Sequence, residues 1–112
     1  MPKPRPQPPR QIFTTALADW QRAWTNYAHH DRHAARAGYA TPTGQAHLAT
    51  MTNLATRIMT IEAQIAETPA NNRAELQIKI AILSLDGQIR EEFQSSVLED
   101  AMRMIAEAKA EA

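Results

Sequence analysis

The sequence predicts an all-α fold, arranged as an antiparallel helical hairpin or a four-helix bundle and completed by dimerisation. Apolar residues recur at spacings of three and four along most of the chain, which is the period of a helix that buries one face. Thr-Pro, a helix start signal, occurs at residues 41–42 and 68–69. The connections between the helical patterns are short, as in a bundle of antiparallel helices. Two tryptophans and five methionines are many large apolar side chains for the thin core of a monomer, which favours a dimer.

Composition and charge narrow the class of protein. A chain of 112 residues with 44% apolar and 21% charged residues has the composition of one globular domain, so disorder throughout is excluded. It contains no cysteine, which excludes disulfides and thiolate chemistry and favours the cytoplasm. No stretch predicts a secretory signal or a membrane span. The net charge of zero divides into +5 over residues 1–60 (seven bases against two acids) and −5 over residues 61–112 (five against ten).

Residues 1–12 are predicted to be a disordered, proline-rich basic arm, and residues 13–112 a single helical domain. The first ten residues hold five prolines, which remove backbone donors and fix φ, so they cannot form a helix. Lys3, Arg5 and Arg10 make this arm basic.

The first helix is predicted over about residues 14–37. Thr14 or Thr15 can cap its first N–H groups, and Gly38 follows its end. Its large apolar residues form one seam, which we call the aromatic seam and expect to pack against another helix: Phe13, Leu17, Trp20, Trp24 and Tyr27.

Three further helices are predicted, over about residues 42–67, 69–85 and 88–110. The isoleucine-rich segment of the third helix also suits a strand. The spacing of four between Glu75 and Lys79 and the lack of a second strand-like segment argue for a helix. Asp86-Gly87 is a turn dipeptide, which favours a break or kink there, although the cost of a helical glycine is small enough for a continuous helix.

Histidines cluster near the end of the first predicted helix. His29 and His33 lie four residues apart and share one face, so they could chelate a metal ion, with His47 of the next helix as a further ligand. Asp31 faces away from this pair, and the charge of Arg32 opposes a cation. We therefore predict no metal site.

A basic face is the preferred binding hypothesis. Its residues lie on the side of the first helix opposite the aromatic seam, and we call them the basic face: Arg22, His29, Arg32 and Arg36. His33 is a further candidate binding residue near them. Phosphate contact is feasible there. However, three arginines are few, and the aromatic residues needed to stack on bases lie on the other side.

The sequence predicts no catalytic residue and no cofactor. The serines, at positions 84, 95 and 96, fall within helical patterns, far in sequence from every histidine. The adjacent acids Glu91-Glu92 and Glu99-Asp100 diverge by about 100° around a helix, so we expect them to be solvated. A solvated ladder of charges at four-residue spacing is also predicted, formed by Glu99, Arg103 and Glu107.

Two segments, residues 61–83 and 93–108, resemble a group of short open reading frames common in alphaproteobacterial genomes and their prophages. The group has a Thr-Pro-Ala helix start, a lysine-containing apolar helix and a closing Ser-x-Leu-x-Asp-Ala helix. The residues that match these features here are Thr68, Pro69, Ala70, Lys79, Ser96, Leu98, Asp100 and Ala101. Glu75-Leu76 replaces the Gly-Leu usual in the group. The resemblance implies a phage or mobile-element origin and supports the helical boundaries, and it implies no activity and no site residues.

These patterns favour a non-enzymatic helical interaction or regulatory protein that binds a protein partner or a second copy of itself. The expected contact surface is either Trp20, Trp24 and Tyr27 or a methionine-rich surface. The alternative is a nucleic-acid accessory protein that uses arginines of the arm and the basic face, namely Arg5, Arg10, Arg22, Arg32 and Arg36.

Overall fold

A computed structural model describes residues 6–111. In this part of the chain there are four α-helices and one two-stranded hairpin, so the all-α prediction is confirmed in outline. The helices are α1 (Gln11–Ala37), α2 (Pro42–Glu67), α3 (Arg73–Leu83) and α4 (Gln94–Glu111). Strands β1 (Ser84–Leu85) and β2 (Gln88–Ile89) separate α3 from α4, and a 3-10 turn, Glu91–Phe93, precedes α4.

The chain divides into two compact units, and α1 and α2 contribute to both. The first unit is Met1–Leu17 with Glu62–Ala112, of which residues 6–17 and 62–111 are described, and the second is Ala18–Ile61. The apolar core of the first unit consists of Phe13, Ile65, Ala70, Ile82, Leu83 and Val97. The buried apolar residues of the second unit are Ala23, Ala34, Met51, Ile58 and Ile61.

Helix α1 begins earlier than predicted. The carbonyl of Arg10 accepts hydrogen bonds from the N–H groups of Phe13 (3.0 Å) and Thr14 (3.3 Å), so Gln11 and Ile12 already belong to the helix. The hydroxyl of Thr14 donates to Gln11 O and caps nothing. The predicted boundary of the arm at residue 12 was therefore wrong. Residues 6–10 form no helix or strand, and Lys3 and Arg5 lie outside the described residues.

The connection between α1 and α2 confirms the predicted end at residue 37 and the Thr-Pro start at residue 42. Gly38 has φ of +88°, the left-handed conformation that ends many helices. Thr41 Oγ1 accepts the N–H of Gly44 at 3.0 Å, which is the cap expected of a threonine before Pro42. In the second unit the two helices run antiparallel, since Asp19 lies 3.7 Å from Arg57 and His30 contacts His47.

Helix α3 begins at Arg73, and the predicted start at residue 69 was wrong. The hydroxyl of Thr68 donates to Gln64 O at 2.7 Å, so this side chain completes the end of α2 and caps no following helix. Residues 68–72 are irregular, and Asn72 is the N-cap of α3, its Oδ1 accepting the N–H of Glu75 at 2.9 Å. The pattern Asn72-x-x-Glu75 is a helix start signal that is visible in the sequence.

The predicted break at Asp86-Gly87 is confirmed, but it is a hairpin turn with a strand on each side. Asp86 has φ of +52° and Gly87 of +81°, which suits the two-residue turns that match the twist of antiparallel strands. Ser84 pairs with Ile89 and Leu85 with Gln88. Consequently the predicted helices 69–85 and 88–110 shorten to Arg73–Leu83 and Gln94–Glu111. Sequence periodicity missed the hairpin because two-residue strands are too short to show alternation.

Candidate functional site

The residues of the predicted basic face all lie on α1 in the second unit. Arg22, His29, Arg32 and Arg36 are exposed. Arg22 contacts Asp19 at 3.2 Å, one helical turn away. His33 is half-buried, and its ring stacks on that of His47 of α2.

The aromatic seam is only partly packed. The rings of Trp20 and Trp24 meet edge to face with centroids 6.5 Å apart, and those of Trp24 and Tyr27 at 5.5 Å. Phe13 is fully buried in the first unit, but Trp24 is 40% exposed. Trp24 is therefore the most exposed residue of the seam, and the prediction that the seam packs against another helix stays a prediction for this side chain. The buried residues of α1 in the second unit are the small Ala23, next to Trp24, and Ala34, two turns after Tyr27.

Four imidazoles meet between α1 and α2, and we call them the histidine cluster: His29, His30, His33 and His47. The Nδ1 atoms of His30 and His47 lie 2.9 Å apart, a hydrogen bond between the two helices. The ring of His33 stacks on that of His47, with centroids 5.6 Å apart and an angle of 25° between the planes. The ring of His29 lies 4.3 Å from that of His33. The charge of His29 lowers the pKa of His33, and partial burial, His47 and Arg36 act in the same direction.

The prediction that named His29, His33 and His47 missed the central contact, which His30 makes. Within residues 6–111, no group of three or more histidine and carboxylate side chains is arranged to hold a metal ion. The Nδ1 atoms of His30 and His47 are hydrogen-bonded to each other across the two helices.

A buried ionic network organises residues 68–72 in the first unit. Lys79 and Asp100 are only 1% and 3% exposed, and Lys79 Nζ lies 2.7 Å from Asp100 Oδ2. The same ammonium donates to Thr68 O at 2.9 Å, and Asp100 Oδ2 also accepts the N–H of Ala70 at 3.0 Å. Arg103 binds Asp100 Oδ1 and Ala70 O. Burial raises the pKa of Asp100, but the hydrogen bonds from Lys79, Ala70 and Arg103 outweigh it and hold this pKa below its ordinary value.

Two predictions about charged residues are corrected by this network. Asp100 was expected to be solvated like Glu99, and Arg103 was expected to belong to a solvated ladder, but both bind residues 68–72 or each other. Four of the residues that carry the resemblance meet at this loop. They are Thr68, Ala70, Lys79 and Asp100.

A second ionic contact joins the arm to α3. Glu75 is fully buried, and its carboxylate accepts the backbone N–H and the Nε–H of Arg10, each at 2.8 Å. It also accepts the N–H of Asn71 at 2.8 Å. The hydrogen bond from the Arg10 side chain lowers the pKa of Glu75 to about 2, although burial opposes the shift. The predicted Glu75 to Lys79 pair does not form, because each residue binds a partner from another segment.

We predict that Glu75→Gln lowers the free energy of unfolding at pH 7 by roughly 2 kcal/mol, because it removes a charge-assisted hydrogen bond whose arginine is half exposed. The stabilisation from Glu75 is complete above pH 4.5, its ordinary pKa, and is lost as the pH falls toward 2, since the unfolded chain binds the proton first. Urea titrations between pH 7 and pH 2 should therefore show the variant and the wild type converging. Glu107→Gln, an exposed position on α4, is the control and should change little at either pH.

Three large apolar side chains project from the outer side of α4, and we call them the α4 stripe. Leu98, Met102 and Ile105 follow spacings of four and three, and they are 59%, 61% and 55% exposed. The buried residues Val97 and Asp100 lie on another side of the helix. The positions beside the stripe include the small residues Ser95, Ala101 and Ala106, and its charged neighbours are Glu99 and Lys109. The spacing of these three residues is visible in the sequence, but spacing alone does not show that they remain exposed.

Comparison with known proteins gives no identification. No family model, no curated protein and no solved structure matches the chain. The resemblance of residues 61–83 and 93–108 to short alphaproteobacterial and prophage proteins therefore stays a prediction. None of the helices in residues 6–111 is long and apolar enough to cross a membrane.

Proposed function

We propose that this chain is a non-enzymatic helical interaction protein that binds a protein partner through the α4 stripe, and that the partner is a second copy of the chain. The observation that carries the proposal is the exposure of three large apolar side chains on two consecutive turns of one helix. Contiguous exposed apolar surface of this kind marks interaction sites.

The α4 stripe is self-complementary. In an antiparallel pair of α4 helices related by a two-fold axis near Met102, Leu98 of one copy lies opposite Ile105 of the other. Ala101 and Ala106 beside the stripe allow close approach of the two backbones. In this pair Glu99 of one copy lies opposite Ala106 of the other, so two acids do not face each other. Such a pair would complete the predicted hairpin or bundle by dimerisation, with helix packing of the kind seen in bundles.

The buried charged groups support a non-enzymatic role. Glu75, Lys79 and Asp100 are each bound to a charged partner, and each also contacts backbone groups of residues 68–72. Their bonds hold the loop in place. The nucleic-acid alternative gains no support from two of its residues, because Arg10 is bound to Glu75 and Arg22 to Asp19.

We predict that the double variant Leu98→Glu/Ile105→Glu weakens self-association by roughly 100-fold or more, because it places two charges of the same sign at the centre of the contact. Light scattering after size exclusion, from micromolar to millimolar protein, would measure this. Met59→Glu is a matched control, since Met59 is 66% exposed on α2, outside the stripe. A wild-type monomer at every concentration would contradict the proposal, as would equal effects of the control and the double variant.

A further inference from the structure

We propose that the histidine cluster is a pH-sensitive latch that holds α1 against α2 at neutral pH and releases them on acidification. The latch rests on the cross-helix contact between His30 and His47 in the second unit. It is independent of the α4 stripe and of the proposed function.

The contact between His30 and His47 tolerates one added proton but not two. Their Nδ1 atoms are 2.9 Å apart, so one nitrogen must donate and the other must accept. When both rings become imidazolium, both Nδ1 atoms are donors, the hydrogen bond is lost, and two positive charges face each other at hydrogen-bond distance. Because α1 carries one ring and α2 the other, this repulsion acts directly between the helices.

The remaining members of the histidine cluster add to the repulsion. His33 stacks on His47 and lies beside His29, so protonation of these rings brings further positive charge to the same contact. The pKa of His33 is lowered, as expected where neighbouring positive charges oppose its protonation. As the pH falls through 6.5, the ordinary pKa of histidine, the unfolded chain protonates His33 before the folded chain does. The contribution of His33 therefore makes the folded state less stable at lower pH.

The charged surroundings of the cluster offer little compensation. On α1, Arg32 and Arg36 are positive, and Asp31 is an exposed carboxylate one residue from His30. On α2, His47 is the sole titratable residue between Pro42 and Thr56, and the connecting loop contributes only the exposed Tyr39. These neighbours therefore include few carboxylates that could balance positive charge added between His30 and His47.

The test compares melting temperatures at pH 7.5 and pH 5.5, a range that lies above the pKa of Glu75 and the ordinary pKa of Asp100. The wild type is expected to lose roughly 5 °C on acidification. His47→Gln keeps a side chain that can hydrogen-bond His30 but removes the second charge, so its loss should be less than half as large. His29→Gln is the matched control, because it removes an exposed histidine and keeps the cross-helix pair. It should retain most of the wild-type loss.

Amide hydrogen exchange provides a second readout, because melting alone does not say where the structure opens. Residues around His30 and His47 should exchange faster at pH 5.5 than the pH dependence of intrinsic exchange predicts, and Ile82 and Leu83 of the first unit should not. Three results would overturn the proposal. They are a wild-type melting temperature that is the same at both pH values, a loss in His47→Gln equal to that of the wild type, and unchanged protection of residues 28–50.

Discussion

Replacing Lys79 with methionine is expected to reduce the free energy of unfolding by about 3 to 5 kcal/mol. Methionine fills a similar volume, so the effect is not a cavity. It removes the cation 2.7 Å from Asp100 and leaves a carboxylate that is 3% exposed without its main partner. Thr68 O also loses the donor of a part-buried hydrogen bond, which adds to the cost. Urea unfolding at pH 7, followed by circular dichroism, measures the change.

Two further variants show whether the loss of stability comes from the buried ion pair. Lys109→Met removes an exposed lysine from the last turn of α4 and should cost less than about 0.5 kcal/mol. Lys79→Met/Asp100→Leu replaces the whole pair by apolar side chains, and it should recover part of the lost stability because neither member of the pair is left as an unpaired buried charge. A single variant as stable as the wild type would contradict the role we assign to the pair. Equal losses in the single and double variants would show that the contacts of Asp100 with Ala70 and Arg103 dominate instead.

The sequence predicts the helices best where the signals are local. Thr41 caps α2 because its hydroxyl bonds within its own turn, to Gly44 N–H, and Gly38 ends α1 through its own backbone conformation. Both boundaries were predicted correctly. Thr68-Pro69 is the same dipeptide but does not begin a helix. The carbonyl of Thr68 accepts a hydrogen bond from Lys79, and the hydroxyl of Thr68 donates to Gln64 O at the end of α2. Lys79 lies eleven residues away, so nothing in the Thr-Pro pair itself reports it.

The buried charges were missed although a weak signal existed. Lys79 lies three residues after Leu76 and three before Ile82, so it occupies an apolar stripe of α3, and Asp100 stands three residues after the buried Val97. A charge inside a stripe predicts a buried group with a partner. The pairing of Lys79 with Asp100 and of Glu75 with Arg10 depends on packing between distant segments. Periodicity within one helix does not contain that information.

The candidate surfaces show the same division between local and long-range information. Spacing alone places Arg22, Arg32 and Arg36 on one exposed side of α1, as the structure does. It does not say which of the two apolar sides of α4 faces the core, and in the structure Val97 is buried whereas Leu98, Met102 and Ile105 are exposed. His30 was overlooked because its partner is on another helix, seventeen residues away.

Gly44→Ala is expected to destabilise the second unit by roughly 2 to 4 kcal/mol, against the intrinsic preference of a helix for alanine. Alanine in place of a helical glycine normally gains about 1 kcal/mol. Here a Cβ at position 44 would lie 2.0 Å from the backbone oxygen of Gly38 and 2.8 Å from its carbonyl carbon. Neither is the end of a flexible side chain, so the chain around residues 38–41 must move and the cap formed by Thr41 is strained.

Thermal and urea unfolding of Gly44→Ala measure this effect, and Thr43→Ala, a neighbouring exposed helical position, is the control. The control should differ from the wild type by less than about 0.5 kcal/mol. Gly38→Ala should also be destabilising, by about 1 to 2 kcal/mol, because φ of +88° disfavours any residue with a Cβ. If Gly44→Ala were neutral or stabilising, the close approach of α2 to the Gly38 carbonyl would be wrong. The two glycines act on one turn, so their combined cost should be less than the sum.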